Sequence, residues 1–283
     1  MIYECVINIS EGKNQEVIDS ISKAGGNPVL DIHSDFDHNR SVITIGSTEL
    51  DEVIDSVKNI FQKGNELLDL ADHIGVHPRL GAIDVVPFIS YDDSIFEPNS
   101  QTIEAAHEFG AWVNNSFDLP VFFYDFASEQ FLSLPEIRKN AFVKISPSFS
   151  SRDKKQNDAV CVGARKPLLA INVDLDCTDI KFAKDIAKTL RESSGGHKGV
   201  RAIGLELSSK DRVQVSMNIV DTIAVNAETI CTEIKEIANE RDISAKVELV
   251  GLVPEHQFKL WSDSFKTWAN LDKTKTVENH LSI

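Results

Sequence analysis

At 283 residues the chain can bury one large core or two smaller ones. Its 42% hydrophobic and 26% charged residues are ordinary for a globular protein in water. A formal net charge of −15 excludes a general nucleic-acid binder, which needs a basic face, and argues against an anionic membrane surface. It leaves room for a local basic pocket that takes a small anion, because net charge governs solubility rather than sites.

In chain order, residues 2–9 form an apolar run with no basic leader before it, and read as a strand rather than a signal peptide. A helix follows, capped by Ser10 or Asn14, with Val17, Ile18 and Ile21 at helical spacing, and Gly25-Gly-Asn-Pro28 stops it. Residues 29–32 and 41–45 read as a strand pair joined by the polar turn 35–38. A long helix is predicted over 48–70, its buried stripe made by Val53, Ile54, Val57, Ile60, Phe61, Leu67 and Leu68. A strand over 82–89 closes a β-α-β-β-α-β unit. The same order recurs in strand 168–173, helix 179–193, strands 200–207 and 213–219, helix 226–241 and strand 247–253. The connector, roughly 90–167, carries a helix over 101–117, a strand over 121–124, a helical stretch over 129–138 and an exposed polar loop over 146–158. After Pro254, Trp261 and Trp268 predict a docking helix, followed by a polar, disordered end.

The predicted fold is therefore α+β: two ferredoxin-like β-α-β-β-α-β subdomains, residues 1–165 (with the connector) and 166–283 (with the tail), packed around a shared cleft. Asn8 and Asn172 occupy matching places in the two opening strands. One polar amide in an apolar strand often satisfies neighbouring backbone; its presence in both halves favours the cleft. Cys5, Cys161, Cys177 and Cys231 stand far apart, with no Cys/His grouping at zinc-ligand spacing. Reduced thiols, a cytoplasmic location and no metal are the expectation.

The segment from residue 71 to 88 concentrates chemistry: two imidazoles, an Arg and two Gly precede an apolar strand. Pro78 pushes His77 toward extended backbone, and Gly75 and Gly81 permit unusual turns. The result suits general acid–base work near neutral pH. The alternative is a solvated histidine on a helix-to-strand turn. Arg79 is expected to favour the neutral ring by like-charge repulsion.

Several ordered motifs resemble the formiminotransferase domain family. They are Glu4-Cys-Val-Ile-Asn-Ile-Ser-Glu-Gly-Lys13, Asp37-His-Asn-Arg-Ser-Val42, His73-Ile-Gly-Val-His-Pro-Arg-Leu-Gly-Ala-Ile-Asp-Val-Val-Pro-Phe88, Val162-Gly-Ala-Arg165, Ala170-Ile-Asn172, Gln214-Val-Ser-Met-Asn218 and Glu248-Leu-Val-Gly-Leu-Val-Pro254. The resemblance spans residues 4–254. It implies a homodimeric enzyme that moves a formimino group from N-formimino-L-glutamate to tetrahydrofolate as co-substrate, in histidine degradation and one-carbon metabolism. His77 matches the family's catalytic histidine. Arg40, Arg79 and Arg165 are candidate forks for substrate carboxylates, each with an alternative as a surface ion-pair residue. Asn8, Asn39, Asn172 and Gln214 are candidate partners for a pterin ring or the amidine, each with an alternative as a cap or cross-strand pair; Gly81 belongs to the same candidate site. His73 reads as a support for the loop, and Asp84 either orients an imidazole or pairs with an Arg.

The chain departs from the family pattern in three places. Val76 replaces an acid before the histidine, Leu30-Asp-Ile-His33 lacks a carboxylate, and residues 141–162 lack a Gly-Pro segment and a His-Pro-like stretch. Two further readings stay open: the same scaffold acting on another donor such as formylated folate, and a non-catalytic folate- or ligand-binding relative. No fused cyclodeaminase is expected, so any deamination falls to a separate protein.

Overall fold

The structure, a computed structural model, describes residues 1–71, 73–92, 94–150 and 158–283. Most of the predicted 146–158 loop thus lies outside the described residues. The chain divides into two units, Met1–Lys166 and Pro167–Ile283.

The first unit begins with β1 (Ile2–Ile9), α1 (Gln15–Ala24), β2 (Val29–Asp35), β3 (Arg40–Ser47), α2 (Leu50–Leu67) and β4 (Ile83–Tyr91). Asn14, not Ser10, caps α1: its side chain accepts from the Val17 N–H at 3.2 Å. Ser10 instead donates its hydroxyl to the Gly81 carbonyl at 2.8 Å, tying the end of β1 to the loop before β4. The chain continues through α3 (Ser100–Phe117), β5 (Val121–Asp125), α4 (Leu134–Asn140) and β6 (Val160–Ala164).

The connector is not a bridge between two sheets. It extends the first sheet to six strands in the order β2-β3-β1-β4-β6-β5. β6 pairs parallel with both β4 and β5, so the strand latest in the chain lies between two earlier ones. β6 is five residues long and buried throughout, which removes the alternation that marks a half-exposed strand. Its Gly163 is required: a Cβ there would run into the Tyr124 ring. α4 starts later than the predicted 129, because the Glu136 carboxylate accepts from both the Ser133 N–H (2.9 Å) and its hydroxyl (2.6 Å), fixing the first turn there.

Helices α1, α2 and α3 contribute to one core, with Ile21, Val57, Ile60, Phe61 and Phe109 against Ile7, Ile45 and Phe88 of the sheet. Phe61 meets Phe109 edge-on at 5.6 Å. A smaller cluster joins Ile137 of α4 to Val85, Phe122, Tyr124 and Cys161.

The second unit contains β7 (Leu169–Leu175), α5 (Ile180–Leu190), β8 (Val200–Leu207), β9 (Arg212–Ile219), α6 (Ala227–Asn239) and β10 (Ala245–Val250). Its sheet order, β10-β7-β9-β8, is the ferredoxin-like arrangement. Short helices α7 (Glu255–Leu260), α8 (Asp263–Ala269) and α9 (Val277–Leu281) follow. Phe258, Trp261, Phe265 and Trp268 stack edge to edge, and the Trp268 indole N–H reaches the Ala245 carbonyl at 3.0 Å. The end of the chain is ordered, against the expectation from its polarity. Val277 is fully buried, and backbone bonds from Val253 to Lys275 (2.9 Å) and from Val277 to Val253 (3.2 Å) close it onto the residues after β10.

Because α4 is short and Ile137 is its one buried side chain, Ile137→Ala is expected to lower stability by about 2–5 kcal/mol. Urea denaturation of the whole chain measures this.

Candidate functional site

Two backbone segments of the first unit are laced together. The first is the turn between β2 and β3, where Asn39 adopts left-handed backbone (φ 46°). The second is the loop leading from α2 to β4. The Asn39 side chain accepts from the Gly12 N–H at 3.0 Å and donates to the Ile74 carbonyl at 2.9 Å. The Val76 N–H reaches the Asp37 carbonyl at 3.1 Å. Arg79 does most of the lacing. Its guanidinium donates to the carbonyls of His38 (2.8 Å), Asn39 (3.1 Å) and His77 (3.0 and 3.3 Å) and to His73 Nδ1 (2.8 Å). Those contacts engage all five N–H groups of an arginine, which leaves none for the carboxylate fork expected of it. His73 completes the knot: its Nε2 lies 2.9 Å from the Asn39 carbonyl and its ring nitrogens lie 2.5 and 2.8 Å from Arg79 Nη1, the supporting part the sequence suggests.

His77 stands on this knot. Its Nδ1 lies 2.8 Å from the Pro78 carbonyl, so Nδ1 carries the proton. Its Nε2 then presents a lone pair, which accepts from Arg40 Nη1 at 3.0 Å. The His38 ring stacks alongside with centroids 5.8 Å apart. His77 as a residue is half-buried. Its pKa is held well below the usual imidazole range, first by burial, then by the charges of Arg40 and Arg138 and by His38, with the Pro78 carbonyl pulling the other way. Arg79, the chain neighbour expected to supply that repulsion, is not among the principal causes; it acts on His73 instead.

Asp84 near the start of β4 accepts from the Leu80 N–H at 2.7 Å and forms an ion pair with Arg138 of α4. Asp84 is thus an arginine partner, not the orienter of an imidazole. Burial pushes the Arg40 pKa down to about 10, with Arg138 and Arg79 adding and Asp84 opposing, so the group stays charged at neutral pH. The Nε–H groups of Arg40 and Arg138 are both buried without a hydrogen-bond partner among the described residues. Buried, charged donors lacking acceptors make this a place for an anion.

Asn8 lies opposite Val42 and Val85 on the same sheet. Its amide donates to the Val6 carbonyl at 2.8 Å, while its Oδ1 is buried with no partner among the described residues. Gly81 has a packing role, since a Cβ there would collide with the Ala159 carbonyl. Arg165 is not in the His77 group. Its N–H bonds to the Phe88 carbonyl, four residues along β4 from Asp84 or roughly 13 Å at strand rise, and its guanidinium reaches the Lys166 carbonyl at 2.8 Å.

In the second unit, Gln214 donates to Asp174 at 2.7 Å and Asn172 donates to Glu248 at 3.1 Å. Burial raises the Asp174 pKa, Gln214 opposes this and Glu248 reinforces it. Two residues of the His77 group had no separate role in the sequence reading. His38 sits inside a quoted motif, whereas Arg138 occupies a short helix whose pattern says nothing about where it points. Among the described residues no grouping of three His, Cys, Asp or Glu side chains could hold a metal ion. None of the described helices is long and apolar enough to cross a membrane.

The chain matches the formiminotransferase domain, N-terminal subdomain, over residues 2–169 and the formiminotransferase domain over residues 170–279. It belongs to the formiminotransferase domain family. Among its relatives, the glutamate formimidoyltransferase of Streptococcus pyogenes serotype M1 is 31% identical over 298 residues, covering 99% of this chain and 98% of that protein. The glutamate formimidoyltransferase of Thermoplasma acidophilum is 30% identical over 274 residues, covering 90% of this chain and 88% of that protein. The formimidoyltransferase-cyclodeaminase of Sus scrofa is 35% identical over 279 residues, and the match takes in 89% of this chain but 50% of the pig protein. Membership makes this chain an enzyme of the transferase class.

Two measurements follow from the geometry. The unfolded chain binds a proton at His77 near the usual imidazole pKa of about 6.5, whereas the folded site takes it up only at lower pH. Stability is therefore expected to fall as pH drops below about 6.5 toward the folded value, and His77→Asn should flatten part of that slope in thermal melts across pH 5–8. Asp84→Asn leaves Arg138 without its counter-charge and is expected to cost about 3–5 kcal/mol in chemical denaturation.

Proposed function

We propose that this chain transfers a formimino group from N-formimino-L-glutamate to tetrahydrofolate, with His77 as the single proton carrier. The observation that supports this most is the neutral His77 ring, fixed in one tautomer with its Nε2 lone pair among buried guanidinium groups. In the reaction the folate amine nitrogen attacks the formimino carbon and gives its proton to Nε2. The carbon–nitrogen bond to glutamate then breaks, and the departing nitrogen takes the proton back. One imidazole serves both halves because it is neutral at the start and neutral again at the end. The donor-rich surroundings of Arg40 and Arg138 suit the carboxylates that glutamate and the folate tail carry. Asn8 Oδ1 offers an acceptor for a substrate N–H on the same sheet. We read the active protein as a cytoplasmic homodimer of subdomains 1–165 and 166–283, acting in histidine degradation and one-carbon metabolism.

A second reading keeps the fold and His77 but replaces the donor with a formylated folate. What favours it is the charge around the ring: three guanidinium groups bear on the site, Asp84 is engaged by Arg138, and Val76 (41% exposed) stands where the family has an acid. A neutral formyl group tolerates that field better than a cationic amidine does.

Purified chain given tetrahydrofolate and N-formimino-L-glutamate should form 5-formiminotetrahydrofolate. His77→Asn is expected to lower kcat by roughly 10²–10⁴ with KM little changed. Turnover only with the formylated donor would select the second reading. Turnover by the variant equal to that of the parent would remove His77 from the chemistry.

A further inference from the structure

Both nitrogens of the His77 ring are engaged: Nδ1 donates to the Pro78 carbonyl, and Nε2 accepts from Arg40 Nη1 at 3.0 Å. A base whose lone pair already holds an N–H cannot take a proton from an incoming amine. The proton-carrier assignment above therefore requires Arg40 to leave the ring during each turnover. An arginine does not lose its own proton near neutral pH, so it must be given another acceptor. The site holds the means for this. Arg138 stands close enough to act electrostatically on both Arg40 and His77, and its other contact, Asp84, anchors it at the base of β4. Arg40 and Arg138 each keep a buried Nε–H without an acceptor among the described residues.

We propose that Arg40 is a latch on His77, opened by a substrate carboxylate that binds across Arg40 and Arg138 and draws the Arg40 N–H away from Nε2. This rests on the reading of His77 as proton carrier and adds to it the chemical class that switches the base on. Only a hydrogen-bond acceptor is exchanged; no covalent bond changes, and every arginine proton stays in place. Arg40 gains a charge-assisted bond to a carboxylate in exchange for a bond to a neutral imidazole, which is the stronger contact of the two. His77 at the same moment loses the nearest positive charge and gains a free lone pair, so its basicity rises when substrate is present. Without substrate the ring is held neutral and occupied. The titratable and charged groups that bear on the ring are Arg40 of β3, His38 of the preceding turn and Arg138 of α4, with Asp84 of β4 bound to Arg138, and Arg79 and His73 bound to each other in the loop that carries His77. Arg79 is held by backbone carbonyls and Arg138 by Asp84, which leaves Arg40 as the guanidinium that shifts toward the carboxylate.

The test uses the full chain with ¹⁵N-labelled histidine, His77 being assigned by comparison with His77→Asn, and glutarate as the probe. Glutarate carries two carboxylates but no amine or formimino group, so it binds without turnover. The ring-nitrogen shifts are followed across pH with and without glutarate, and calorimetry measures binding. The expected result is a hydrogen-bonded Nε2 in the free protein. Saturating glutarate should move Nε2 to the shift of an unbonded ring nitrogen and raise the His77 titration midpoint. Arg40→Gln should show the unbonded shift before any glutarate is added. Arg138→Gln should weaken glutarate binding by roughly tenfold or more, with the ring still hydrogen-bonded in its absence. Glutarate that binds but leaves the Nε2 shift unchanged would overturn the latch, as would the absence of any binding heat. Either outcome removes a carboxylate as the opener of the latch, whereas the proton-carrier reading fails separately, on undiminished turnover by His77→Asn.

Discussion

The position of His77 depends on a guanidinium that never touches its ring. Arg79 ties the carbonyls of His38, Asn39 and His77 together and holds His73 beside them, so two irregular segments behave as one body. Irregular backbone needs such ties because its polar groups have no ladder to join. Without them the Pro78 turn would still extend the chain, but nothing would fix the ring against Arg40. The imidazole is placed by backbone contacts, and its electronic state is set by groups from elsewhere.

Those groups arrive along different routes. Arg40 opens β3, Asp84 lies at the start of β4, and Arg138 comes from α4. Burial and the positive charges of Arg40 and Arg138 act in the same direction on His77, and the Pro78 carbonyl opposes them weakly. Asp84 moderates the field by pairing with Arg138, yet its reach is shared with Arg40 and Arg79. The outcome is a ring kept neutral in a positive setting. That setting, with buried Nε–H groups on Arg40 and Arg138 that meet no acceptor among the described residues, suits an anionic group.

The ferredoxin-like repeat could be read from the sequence because its elements carry strong local signals. β1 is mainly apolar despite Glu4 and Asn8, α2 has a regular buried stripe, and the β8–β9 pair has a polar turn between two largely apolar segments. β6 was illegible for the opposite reason: five buried residues with a glycine show neither alternation nor length. The ordered end of the chain hid for a similar cause, since a single buried Val277 and two backbone bonds outweigh its polar composition. At the site, Pro78 and the flanking glycines mark the His77 turn as unusual backbone, while a catalytic role for its ring comes from the family resemblance. The separate tasks of Arg40, Arg79 and Arg165 could not be told apart, because they depend on which carbonyls and carboxylates the folded chain brings near. Arg138 shows this most clearly, as only the packing of α4 through Ile137 brings it to Asp84 and within electrostatic reach of His77.

The placement of β6 also bears on how the molecule is made. A strand that must slot between β4 and β5 cannot be laid down until both neighbours exist, and it leaves the ribosome after them. Until residue 164 has emerged, β4 exposes a bare hydrogen-bonding edge and β5 has no place in the sheet. A bare edge of that kind is a template for pairing with another chain, and in the finished sheet β6 is what seals it. The helix that bears Arg138 packs against β5 and β6, so the electrostatic setting of the imidazole is completed only at that late step.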